Sequence, residues 1–121
     1  MKKLFTLALL FSFFSTVVSA QTKAQMTAKI STPTVQCDLC KKRIEEGLKR
    51  YDGVLSVNVN YKRKETTVKY LTDRTNEEII KTAIANLGYD ANEIAATKEV
   101  YDALPKCCKK PEDGGGGEKK N

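Results

Sequence analysis

The order in which apolar periodicity changes along this chain restricts its fold more than any other feature. Met26 to Thr32 alternates, with Ala28, Ile30 and Thr32 on one face and Thr27, Lys29 and Ser31 on the other. That is the period-two pattern of a half-buried strand, and Pro33, which has no ladder donor, closes it. From residue 39 to 51 the period lengthens, and Cys40, Ile44, Leu48 and Tyr51 fall on one helical stripe. Gly47 costs such a helix about 1 kcal/mol relative to alanine, so another element is expected to pack closely there. Asp52-Gly53 stops the helix. Alternation returns through Val57, Val59 and Tyr61, and again through Thr66, Val68 and Tyr70, on either side of the charged turn Lys62-Arg63-Lys64. Two such runs around a short turn describe a hairpin. Thr75-Asn76-Glu77-Glu78 reads as a capping box, Thr75 and Glu78 satisfying each other's backbone donors. Ile80, Ala83, Ile84 and Leu87 give a second helix, which Gly88 ends in a left-handed conformation. A last strand is expected near Tyr89 to Ala95, although Ala91-Asn92-Glu93-Ile94-Ala95 has little strand propensity. The order is strand, helix, strand, strand, helix, strand. A four-stranded antiparallel sheet with both helices on one face buries every stripe at once, predicting an α+β, ferredoxin-like βαββαβ sandwich.

The N-terminus decides which residues work. Met1-Lys2-Lys3 is positive, Leu4 to Val18 is an apolar run, and Val18-Ser19-Ala20 offers small residues before the polar Gln21. This is the form of a secretory signal peptide over residues 1–20. The run is shorter than the roughly 20 apolar residues of a spanning helix, so no membrane insertion is expected after cleavage. The mature chain of 101 residues holds one modest core. Loss of Lys2 and Lys3 lowers the formal charge from +6 to +4, a mild excess that, with export to the periplasm or beyond, argues against nucleic acid. Residues 21–25 read as a linker.

Composition enters through one absence. The chain has no histidine, which removes Ser-His-Asp and Cys-His nucleophilic pairs, imidazole acid-base work and every histidine-containing metal site. Any metal must rely on thiolates or oxygens. Cys37-Asp38-Leu39-Cys40 falls between the first strand and first helix, with Cys40 in the opening turn. Unpaired N–H groups and the helix dipole favour thiolate there, and Lys41, Lys42 and Arg43 follow at once. Two converging thiolates suit a soft, low-coordination ion, copper(I) foremost, with mercury(II), zinc and cadmium also accepting sulfur. The same spacing serves a structural disulfide, or a thiol-disulfide oxidoreductase with Cys37 attacking and Cys40 resolving. Against the oxidoreductase, only one short strand precedes Cys37, and the later prolines, Pro105 and Pro111, lie in the tail.

From Met26 to Ile94 the sequence resembles the heavy-metal-associated domain family, which includes copper chaperones, modules of copper-pumping ATPases and the periplasmic mercury-binding protein. The resemblance rests on Val35-Gln36-Cys37-Asp38-Leu39-Cys40, Ile44, Leu48, Asp52-Gly53-Val54, Val57 and Val59. Thr67-Val68-Lys69-Tyr70, Ile80, Ile84 and Leu87-Gly88-Tyr89 complete it. It implies a domain over 26–96, Cys37 and Cys40 as metal ligands, Tyr89 near the ion, and metal transfer through transient electrostatic complexes. Lys41, Lys42 and Arg43 would then dock a metal-transporting membrane protein or other acceptor, the carrier being a monomer or a metal-bridged dimer and not an enzyme. Where the family usually has Gly-Met ahead of the first cysteine, this chain has Thr34-Val35.

The tail, 97–110, adds Cys107-Cys108. Lys98 to Leu104 reads as a short helix with Val100, Tyr101 and Leu104 available to pack, ended by Pro105. A seven-residue helix returns about 10 Å and the extended link to Cys107 roughly another 10 Å, against about 17 Å for a five-residue strand. The tail is therefore long enough to reach the first cysteine pair. Cys107 and Cys108 are candidate accessory ligands to the same ion, a separate soft-metal site, or a redox-labile pair. Residues 111–121, with four consecutive glycines, are expected to be disordered.

Overall fold

The computed structural model describes residues 24–116; the expected signal peptide lies outside them. The elements are β1 (Gln25–Ser31), α1 (Asp38–Leu48), β2 (Val54–Asn60), β3 (Glu65–Leu71), α2 (Glu77–Asn86) and α3 (Lys98–Asp102). Two short 3-10 turns follow, at Lys106–Cys108 and Pro111–Asp113. β1 begins at Gln25 and so takes the last residue of the expected linker. The sheet is antiparallel in the order β1-β3-β2. β3 pairs with β1 without slippage, from Gln25 opposite Leu71 to Ser31 opposite Glu65. Its pairing with β2 shifts register between Val54 and Ser56.

Period-two alternation delivers Ala28, Ile30, Val57, Val59, Val68 and Tyr70 to one face, where they meet Ile44 and Leu48 of α1 and Ile80, Ala83 and Ile84 of α2. Each valine, leucine or isoleucine among them contributes about 1.5–3 kcal/mol on full burial. Thr32 and Thr66, also buried there, satisfy each other across 2.9 Å. Gly47 meets the close packing that its cost implied: a Cβ on it would lie 2.6 Å from Cδ1 of Leu87.

The structure departs from the sequence reading at three places in this domain. The expected last strand does not form. Asn92 adopts a left-handed backbone (φ 50), closing Ala91 and Ile94 into a tight bridge that cannot run on as extended chain. Asn92 still meets β1, its N–H donating to Ser31 O at 2.9 Å and its Oδ1 accepting from Ser31 N at 2.7 Å. One residue thus holds the place a fourth strand would fill. The cap of α2 is also displaced by one residue. Asn76, extended at φ −145, is the N-cap and accepts from Ile79 N. Thr75 Oγ1 is left buried without a partner, and Glu78 turns instead to Lys81. Finally, α1 ends at Leu48, so Tyr51 leaves the apolar stripe and is 39% exposed.

Candidate metal centre

The loop from β1 to α1 is held from three sides. Val35 is fully buried and so sits in the core; Thr34 is buried beside it. Thr34 Oγ1 accepts from Asp90 N at 3.0 Å, tying this loop to the one that follows α2. From the hairpin turn, Lys64, itself left-handed at φ 57, sends its ammonium to Val35 O and, at 3.4 Å, to Gln36 Oε1. Nothing in the sequence pattern singled out Lys64, because its reach depends on the turn's handedness.

Cys37 is the N-cap of α1, and Lys41 N donating to Cys37 O at 3.1 Å starts the helix. Three residues on, Cys40 lies on the same side of the first turn, and the two sulfurs are 3.3 Å apart. The tail then supplies a third. Thr97 anchors it, its N–H on Ala85 O at 2.9 Å and its hydroxyl on Asn86 Oδ1 at 3.1 Å. After α3, buried Leu104 lands on Gly88, where a Cβ would lie 3.1 Å from Leu104 Cδ1 and the φ of +100° already favours glycine. The turn closed by Cys108 N on Pro105 O places Cys108 Sγ 3.9 Å from Cys37 Sγ. The sulfurs of Cys37, Cys40 and Cys108 all lie within 4.8 Å of one another. Cys40 and Cys108 are inaccessible and Cys37 is 8% exposed. Cys107, half-buried, stands 3.9 Å from Cys108 and outside that triad.

The tail does not end there. Tyr101 Oη donates to a carboxylate oxygen of Asp113 and accepts from Lys110 N at 2.9 Å, while Lys110 Nζ lies 5.6 Å from the ring centroid. Residues 111–113, expected to be disordered, are therefore folded back by the phenol of Tyr101. Residues 117–121 lie outside the described residues.

Burial pushes the Cys37 thiol up. The backbone N–H of Cys40, the Cys40 and Cys107 thiols and the Leu39 N–H outweigh it and hold Cys37 below the usual thiol range. This occurs although its sulfur makes no regular capping hydrogen bond. Burial, aided by neighbouring sulfurs, pushes Cys108 and Cys107 up. Tyr89 is fully buried beside the cluster, its hydroxyl without a regular hydrogen-bond partner, and burial raises it further, with Cys108 and Cys40 adding to the effect. The basic trio is divided. Lys41 is committed to Val59 O and Glu45, each at 3.1 Å, whereas Lys42 only approaches Asp38 at 3.8 Å on the surface. Arg43 enters no ion pair among the described residues. No described helix is long and apolar enough to cross a membrane.

A small α+β domain with buried sulfurs converging at a helix N-terminus, and no imidazole in the chain, offers a donor set for soft cations. The model of the heavy-metal-associated domain matches residues 29–90, half of the chain. The chain belongs to that family. A copper-exporting P-type ATPase of Staphylococcus aureus (strain Newman) is 33% identical over 66 residues, 54% of this chain. Those residues correspond to 8% of the pump's length. The CopZ metallochaperone superposes with a TM-score of 0.53 at 29% identity, covering 55% of this chain and 98% of its own. Oxidized MerP from Ralstonia metallidurans CH34 shares the fold, with a TM-score of 0.54 at 23% identity over 57% of this chain and 96% of its own.

Proposed function

We propose that this protein binds one soft metal ion, copper(I) foremost, through Cys37 and Cys40, and carries or sequesters it without transforming it. The observation that carries this reading is the pair of buried sulfurs 3.3 Å apart, the first at a helix N-cap and held below the usual thiol range. A thiolate is the metal-binding form of cysteine, and sulfur-only donors favour soft ions. Relatives described as a copper-exporting ATPase and a metallochaperone favour copper over mercury(II), zinc or cadmium. The N-terminal segment supports export to the periplasm or beyond. The acceptor is a metal-transporting membrane protein or another carrier with an acidic surface beside its own thiols. Arg43, and Lys42 with its long surface contact to Asp38, are the cations placed to meet it, with Lys41 engaged at home.

The test is native mass spectrometry of the reduced protein lacking residues 1–20, with copper(I) and zinc offered in competition. One copper(I) per chain is expected, abolished by Cys37→Ser/Cys40→Ser. Absence of tight metal together with ready disulfide exchange would sink the carrier reading and promote the oxidoreductase.

A further inference from the structure

The tail has no counterpart in the matched family region, which ends at residue 90. The CopZ metallochaperone is covered over 98% of its length by 55% of this chain, so the additional segment is not needed to build the domain. Yet it is placed with care. Thr97 fastens its start, Leu104 seats on Gly88, and the Tyr101–Lys110–Asp113 contacts fasten its end. Between these fixed points the chain buries one sulfur, that of Cys108, against the Cys37–Cys40 pair.

We propose that Cys108 is a third ligand to the ion held by Cys37 and Cys40, making the site three-coordinate in sulfur and closing it with the chain's own tail. This rests on the metal-binding reading above. The sulfur spacing favours three ligands over two. With metal–sulfur bonds of about 2.3 Å, a trigonal site needs sulfurs about 4.0 Å apart, and a linear two-sulfur site needs about 4.6 Å. Cys37 and Cys40 stand at 3.3 Å, Cys37 and Cys108 at 3.9 Å, and the remaining pair within 4.8 Å. The triangle thus needs small side-chain adjustments, whereas a linear pair must first be spread by about 1.3 Å and would leave Cys108 buried beside the ion unused. Cys107 lies outside the triangle and is only half-buried.

The consequence is for stoichiometry and partners. A two-sulfur ion keeps a vacant position that the thiol of a second molecule can enter. Here Cys108 takes that position from within the chain.

The experiment is X-ray absorption at the copper edge on the reduced protein loaded with one equivalent of copper(I). Wild type, Cys108→Ala and Cys107→Ser would be compared, alongside competition titration against a copper(I) chelator. Alanine is chosen at 108 because it leaves no hydroxyl that could stand in as an oxygen ligand; circular dichroism checks that the fold survives. Three sulfurs in wild type and in Cys107→Ser, with two in Cys108→Ala, support the proposal. Affinity should fall in Cys108→Ala by more than the ~10–100-fold seen when a supporting outer partner of a metal site is removed. Two sulfurs in wild type, or three retained in Cys108→Ala, overturn it while leaving the two-cysteine carrier standing. No copper(I) bound by wild type overturns both.

Discussion

Tyr89 keeps a buried hydroxyl without a partner, beside two sulfurs that could accept from it. An unsatisfied buried polar group costs about 1–3 kcal/mol, so Tyr89→Phe should leave the metal-free protein as stable or about 1 kcal/mol more stable in urea. Once an ion is bound, the same phenol can donate to a thiolate, and the phenylalanine variant should bind copper(I) more weakly. Lower stability of the metal-free variant would mean that the hydroxyl already has a partner. Residues of this kind differ in how far the sequence discloses them. Tyr89 was reached only through the family resemblance, whereas Cys37 and Cys40 were readable because their spacing follows a strand and opens a helix. Lys64 was not, since its grip on Val35 and Gln36 depends on a left-handed turn that a non-glycine residue rarely adopts. Thr75 was misread for a related reason: the cap belongs to whichever residue is last extended, and that is Asn76.

Among elements, those with a strong period were legible and those without one were not. β1, α1, β2, β3 and α2 follow the alternation and stripes of the sequence to within a residue or three at each end. The segment after Gly88 has neither period nor propensity, and Asn92 turns it back where a strand was expected. The tail is an intermediate case. Chain length permitted a return to the first cysteine pair, but only tertiary contacts at Gly88 and Tyr101 could fix where Cys108 lands. Those contacts make a prediction about the element as a unit. Leu104→Ala removes the side chain seated on Gly88 and should loosen residues 97–113 without unfolding the sheet. Under brief alkylation of the metal-free wild type, Cys107 should react first, being the most accessible of the four. In Leu104→Ala, Cys108 should label nearly as fast as Cys107, and Cys37 faster than before, as read by peptide mass spectrometry. Unchanged protection of Cys108 would mean that Leu104 does not hold the tail.

For the molecule as a whole, an ion that binds only the folded state raises stability by mass action, about 2.7 kcal/mol at a free concentration one hundred times Kd. With the third position filled from within, copper(I) should bind without bringing two chains together. Sedimentation is expected to give a monomer for loaded wild type and a metal-bridged dimer for Cys108→Ala; a loaded wild-type dimer would contradict the internal third ligand. The tail's anchoring also has a temporal consequence. Opening of a small peripheral segment has its own free energy, well below that of global unfolding. An ion covered by such a segment departs through a competition between the segment's reclosing and the arrival of an acceptor. Each 1.4 kcal/mol of tail stability then lengthens the ion's dwell about tenfold. Substitutions at Tyr101, Leu104 or Asp113, all distant in sequence from Cys37 and Cys40, would thereby tune the same domain between rapid courier and long-term store.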